Sequence, residues 1–147
     1  MMRILGIDYG DRHIGLALSD PLLVTAQPLE TYRLTGKENV DRQYFRDLVV
    51  RNEVEVIVLG DPLRMDGSSG TRAEKTRVFA AWLGKAVGKP IVFMDERLTT
   101  RQALGVLRDE KLHGRKKKNR EDQLSAVIIL STYLEQRRGA GDAPEAD

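Results

Sequence analysis

The chain contains no cysteine. Disulfides, thiolate metal ligands and cysteine nucleophiles are therefore excluded. Histidine is nearly as scarce, with only His13 and His113 present and far apart in sequence. A zinc site built on imidazole is not expected. Any metal must lean on carboxylate oxygen, which favours magnesium or manganese. Aromatic residues make up only 5% of the chain, and a stacking platform for single-stranded bases is not evident in the sequence. Long apolar runs are also missing. None approaches a membrane span, and the opening MMRILGIDYG shows no signal-peptide pattern, its apolar run breaking at Asp8. These absences lead to the expectation of a soluble cytoplasmic protein with no membrane contact.

What is present fits one folded domain. Of 147 residues, 41% are hydrophobic and 31% charged, enough for a single core. The domain is expected over residues 1–138, with the small and polar GAGDAPEAD at 139–147 forming a disordered tail. The formal net charge is only +2, but its distribution is uneven. KLHGRKKKNR packs Lys111, Arg115, Lys116, Lys117, Lys118 and Arg120 into one short stretch. Such a run is either a solubilising loop or the electrostatic footprint of nucleic acid.

The order of elements reads β-β-β-α-β-α-β-α-α. Arg3 to Tyr9 and Ile14 to Ser19 form a hairpin, and Val24 to Leu29 a third, short strand whose Pro28 suits a sheet edge. Lys37 to Asn52 carries Val40, Tyr44, Phe45, Leu48 and Val49 at helical spacing. Val54 to Leu59 is β-branched and almost continuously apolar, as a buried parallel strand is. Thr71 to Val87 is a second helix with Val78, Phe79, Trp82, Leu83 and Ala86 on its apolar side, stopped by Gly88 and Pro90. PIVFMDE gives a last strand. A helix capped by Thr99 or Thr100 and reaching about Glu110 follows. The basic stretch then interrupts, and a final helix covers Arg120 to Arg137. A hairpin followed by strand–helix alternation predicts an α/β fold, one mixed sheet flanked by helices. Right-handed crossovers place the ends of strands one, four and five at one edge.

Acidic residues fall where that topology converges. Asp8 interrupts the first strand, Asp95 and Glu96 end the last one, and Asp122 opens the final helix. Any one alone reads as a turn or cap residue. Together they suggest a cluster, which divalent metal would relieve of its repulsion. Two metals about 4 Å apart can activate water and stabilise a leaving oxygen, a device suited to phosphodiesters. Adjacent residues on an extended chain face opposite ways, so only one of Asp95 and Glu96 should face the cluster. The sequence physics leaves that choice open.

The segments ILGIDYGDRHIGLALSD, VIVLGDPLRMDGSSG, DERLTTRQA and REDQLSAVIILSTYL resemble the YqgF/RuvX family, described as Holliday junction resolvases or pre-16S ribosomal RNA nucleases. The resemblance spans Arg3 to about Leu134. It implies a ribonuclease H-like fold with a mixed five-stranded sheet. It further implies catalysis and metal binding by Asp8, Glu96 and Asp122 with Mg2+ or Mn2+. Asp61 departs from the family's usual apolar residue and reads as a surface acid, or else as an extra carboxylate behind the site. Ser125 stands where alanine is common, a small change.

Other residues carry two readings each. Arg12 and His13 in the hairpin turn either contact phosphate or are solvated turn residues. Ser68 and Ser69, ahead of a helix start, either hold an anion or cap the helix. Arg97 either orients Glu96 or touches phosphate. Lys116, Lys117 and Lys118 would add affinity without base specificity. Gly10, Gly15 and Gly60 read as turn glycines ahead of phosphate-approach positions, and Tyr9 as a core or rim residue ahead of one beside substrate.

The expected partner is nucleic acid, either structured RNA or branched DNA, and pre-ribosomal particles are a further candidate. The favoured activity is processing of the 5′ end of pre-16S rRNA in ribosome biogenesis. Holliday junction resolution is the alternative. A non-catalytic ribosome-assembly protein and an actin-like phosphotransferase are the rival classes. The oligomeric state is open between monomer and homodimer; a resolvase needs two symmetric sites.

Overall fold

The computed structural model describes residues 2–63, 70–98 and 114–139. Arg3–Tyr9 (β1) and His13–Ser19 (β2) form an antiparallel hairpin, and Ala26–Arg33 (β3) adds to the outer edge of β2. Glu38–Arg51 (α1) leads into Val54–Asp61 (β4), which lies parallel to β1. Thr71–Val87 (α2) leads into Ile91–Asp95 (β5), parallel to β4. A single 3-10 turn, Glu96–Leu98, follows, and Gly114–Gly139 is the last helix, α3. The sheet order is β3-β2-β1-β4-β5, the mixed five-stranded sheet flanked by helices that was expected.

Side-chain alternation sorts the core into two layers. Leu5, Ile7, Ile14, Leu16, Ile57 and Leu59 point to one face and pack with Phe45 and Leu48 of α1 and with Phe79 and Leu83 of α2. Ile4, Ala17, Val58 and Met94 point to the other and pack with Ala126, Ile129, Leu130 and Leu134 of α3. Among the described residues, α3 is the helix on this sheet face, and it crosses β3, β2, β1 and β4. Among the described residues, no helix is long and apolar enough to cross a membrane.

The structure departs from the sequence reading in several places. Helix α3 runs over Gly114–Gly139, so residues 114–120 of the basic stretch are its first two turns and not an interruption. Lysine and arginine are good helix formers, and no breaker lies between Gly114 and Asp122. Asp122 consequently sits in the third turn. The helix expected between Thr99 and Glu110 lies outside the described residues. β3 is longer and later than expected, because Val24 and Thr25 belong to the preceding turn. Their backbone N–H groups donate to Asp20 Oδ1 at 2.8 and 2.7 Å. Pro28 does lie on an edge strand. Val40 and Val78 are solvent-facing, at 48% and 72% exposure, because each lies beside the stripe that its helix buries.

The entry to α1 is held by one buried carboxylate. Asp41 Oδ1 accepts from the Tyr32 hydroxyl at 2.6 Å, from the Thr35 backbone N–H at 3.0 Å and from the Thr35 hydroxyl at 2.9 Å. Burial pushes the Asp41 pKa up, but the hydrogen bonds from Tyr32 and Thr35 outweigh it and leave it below 3.8. A carboxylate with a depressed folded-state pKa stabilises the fold above its unfolded value, and that contribution is lost as pH falls through the folded value. Asp41→Ala, which strips the acceptor from three donors, is expected to cost about 3 kcal/mol at pH 7. Urea unfolding should show this gap narrowing below about pH 4.

Candidate active site

β1 supplies the first acid. Asp8 stands opposite Gly15 across the hairpin, so both positions share the α3 face of the sheet. A Cβ on Gly15 would lie 1.9 Å from the backbone carbonyl oxygen of Asp122 and 3.2 Å from its Cβ. The missing side chain lets α3 descend onto the sheet and brings Asp122 beside Asp8. Gly60 does related work on β4. Ile7 pairs with Leu59, making Asp8 and Gly60 the next positions along neighbouring strands. A Cβ on Gly60 would lie 2.6 Å from Glu96 Oε2 and 2.6 Å from Ile129 Cδ1. Both glycines lie within strands, so the turn reading fails for them. They make room for a helix and for a carboxylate.

This geometry decides between the two adjacent acids. Glu96 reaches over Gly60 on the α3 face, the face of Asp8 and Asp122. Asp95 pairs in register with Asp61 and has the opposite parity. Its carboxylate is gripped by Arg97, with Nη2 2.6 Å from Oδ2 and Nε 3.0 Å from Oδ1. The hydrogen bond from Arg97 holds the Asp95 carboxyl below its ordinary range. Asp61 is likewise engaged: it is 9% exposed, and Arg77 of α2 donates to its two oxygens at 3.1 and 2.9 Å. Asp61 is thus not a surface acid but one half of a strand-to-helix ion pair.

Asp8 and Asp122 line a common open cleft of about 370 Å3. Arg12 and His13, both expected near the site, line it as well, as does Ser125. Four further residues were not anticipated. Asp11 and Glu121 add acid to the walls, while Arg72 of α2 places its Nη2 3.4 Å from Asp8 Oδ1. Lys75, one turn on, lies 3.5 Å from Asp11. The only sequence signal for the two cations was their place in the first turns of a helix that follows the DGSSG loop. Tyr9 closes the cleft on the α2 side and stacks on Phe79 at 4.6 Å between ring centres. Burial, and secondarily Asp11, raise the pKa of its phenol, keeping it a hydrogen-bond donor.

The donor set is carboxylate oxygen, chemically suited to magnesium or manganese. Two of the three expected ligands, Asp8 and Asp122, share the cleft, and Glu96 lies on the same face over β4. Among the described residues, no three acids or histidines are gathered closely enough to hold an ion. Ser68 and Ser69 lie outside the described residues, as do the side chains of Lys116, Lys117 and Lys118. The backbone at 116–118 is helical, one to two turns ahead of Asp122.

A mixed sheet of this order, with one helix lying across the face that carries the acids, is a ribonuclease H-like arrangement. The chain superposes on Thermus thermophilus RuvC in complex with a Holliday junction substrate with a TM-score of 0.54 at 17% identity, covering 92% of this chain and 96% of that one. The yeast mitochondrial Holliday junction resolvase gives 0.57 at 14% identity, covering 92% and 78%. At such identities the likeness is one of fold. Sequence goes further: the RuvX family, described as Holliday junction resolvase, matches residues 2–136. The chain belongs to that family. A candidate pre-16S rRNA nuclease of Koribacter versatilis is 44% identical over 135 residues, covering 92% of this chain and 88% of the relative. Another of Halothermothrix orenii is 46% identical over 134 residues, covering 90% and 94%.

Proposed function

We propose that the protein is a metal-dependent nuclease that hydrolyses nucleic-acid phosphodiesters, with the 5′ end of pre-16S rRNA as its substrate. The observation that carries this is the cleft in which Asp8 of β1 and Asp122 of α3 meet among Arg12, His13 and Arg72. Basic side chains set among the acids suit an anionic backbone that must approach carboxylates.

Asp8, Glu96 and Asp122 would hold Mg2+ or Mn2+, which supplies Lewis-acid activation of water and stabilisation of the leaving oxygen. The chain's own residues do the rest. Arg72 neutralises Asp8 in the free protein and is placed to turn its guanidinium onto a phosphate. Arg12 and His13 border the cleft from the hairpin turn and contact the backbone. Lys116, Lys117 and Lys118, on the helix that delivers Asp122, add salt-dependent affinity. The names carried by relatives at 39–46% identity support the RNA substrate. The family's description supports junction DNA as the second reading.

Purified protein given a pre-16S 5′-leader RNA and a four-way DNA junction, each in magnesium and in manganese, tests the proposal. Metal-dependent cleavage of the RNA supports it. Paired symmetric cuts in the junction alone would move the assignment to recombination. Binding without cleavage of either would make the protein a binding factor. Arg72 is more than half exposed, so Arg72→Ala should leave the melting temperature unchanged. It should raise KM for the cleaved substrate about tenfold, flattening the salt dependence of KM by about one phosphate contact.

A further inference from the structure

Beside the cleft, between α2 and the segment joining β3 to α1, lies a second and apolar groove of about 430 Å3. Tyr9, Leu34, Val78, Phe79 and Trp82 form its walls. Three observations bear on what it takes. The first is continuity: Tyr9, which follows Asp8 in the chain, lines both the groove and the cleft. The second is a separation of charge. Lys75 is bridged to Asp11 of the cleft, while the other charged residues of the lining, Glu38 and Asp41, are carboxylates held by Arg42 and Trp82 and by Tyr32 and Thr35. A phosphate finds its cation on the cleft side at Lys75, whereas the apolar walls suit an uncharged ring. The third is the wall itself. Phe79 stacks with Tyr9 at 4.6 Å and lies 5.8 Å from Trp82, whose indole N–H donates to Glu38. The Val78 lip is 72% exposed and leaves the groove open to solvent.

We propose that this groove is a base-binding subsite, which takes the unpaired base of a nucleotide adjoining the phosphate held in the cleft. The inference rests on the nuclease reading and deepens it. A base paired within a duplex cannot enter, so the groove selects single-stranded or splayed nucleotides next to the cut. Apolar contact and ring stacking tolerate any base, so the groove selects for unpaired structure and not for sequence.

Trp82 is the only tryptophan in the chain, so its emission reports on the groove alone. Full-length Asp8→Asn protein in magnesium is titrated with an end-labelled single-stranded oligoribonucleotide, with the matched duplex, and with strands carrying one abasic position moved along the sequence. Label anisotropy reads binding, and Trp82 emission reads occupancy of the groove. The single strand should quench Trp82, the duplex should not, and one abasic position should remove the quench. Val78→Glu, a change at an exposed site, should melt like the parent, weaken single-strand binding about tenfold and abolish the quench. In the otherwise native chain it should raise KM on a single-stranded substrate while leaving kcat in place.

Binding by anisotropy with Trp82 emission unchanged, or with equal affinity in Val78→Glu, would overturn the subsite and leave the nuclease reading standing. An emission change that follows protein concentration without nucleic acid would make the groove a contact between copies, and would overturn it too. Loss of both binding and wild-type cleavage would remove the subsite together with the nuclease reading.

Discussion

Protein carrying Asp8→Asn is expected to lose cleavage by about a thousandfold or more, roughly 4 kcal/mol of transition-state stabilisation, while melting no lower than the parent. The two halves of this expectation have separate causes. The amide matches the carboxylate in size but is a poor ligand for a hard cation. Asp8 lies in a cleft that also holds Asp11, Glu121 and Asp122, so removing one negative charge relieves repulsion among those that remain. The Arg72 contact that is lost is long, at 3.4 Å, and its guanidinium is well exposed, so it contributes little to stability. Initial rates on the RNA and on the junction, set beside thermal unfolding without metal, check both halves. A variant that cleaves like the parent would move the chemistry away from β1.

The second large effect separates two glycines that look alike in sequence. Gly15→Ala is expected to damage the fold, and Gly60→Ala to damage activity with the fold intact. At Gly15 the new Cβ meets the Asp122 carbonyl at 1.9 Å from its oxygen and 2.5 Å from its carbon. Backbone cannot swing aside, and α3 is pinned further along by Ala126, Ile129, Leu130 and Leu134. The helix must lift, at a cost of about 3 kcal/mol, the upper part of the usual range for overpacking. For a chain of this size that lowers the melting temperature by about 10 °C.

At Gly60 the new Cβ meets the tips of two side chains, Glu96 Oε2 and Ile129 Cδ1. Both can rotate away, so stability should fall by only about 1 kcal/mol. Glu96 is displaced as it does so, and a carboxylate moved by about 1 Å costs on the order of a hundredfold in rate. Paired measurements of melting temperature and kcat on the two variants check the contrast. Equal effects on both quantities would mean that Glu96 is not held over Gly60.

Much of the fold was legible from local pattern. β1 and α2 have the bounds that the apolar spacing predicts, α1 is one residue shorter at each end, and β4 runs two residues further than expected at its C-terminal end only. Strand alternation correctly implied that Asp95 and Glu96 face opposite ways, because a period of two places a side chain on a face without reference to anything distant. The failures share a cause. Val78 sits at helical spacing with Phe79 and Trp82, yet faces solvent at the lip of a groove. Spacing gives an apolar arc but not the width of that arc which a neighbour covers. The start of α3 was misplaced because a charge run was read as a break, although its residues favour helix.

Composition by itself limited the ligand types a metal site in this chain could use. Without cysteine, and with two separated histidines, only carboxylates remained as candidate metal ligands; Asp8 and Asp122 stood out by position, while Glu96 was singled out from Asp95 only by the family resemblance. Tertiary structure alone decided which acid of the Asp95–Glu96 pair shares a face with Asp8. It also decided that Arg77 and Arg97 occupy Asp61 and Asp95, and that Gly15 and Gly60 are spaces and not turns. Alternation along a strand is a property of a few consecutive residues. The approach of Asp122 to Gly15 joins positions more than a hundred residues apart, and it is set by how closely one helix can settle on one sheet.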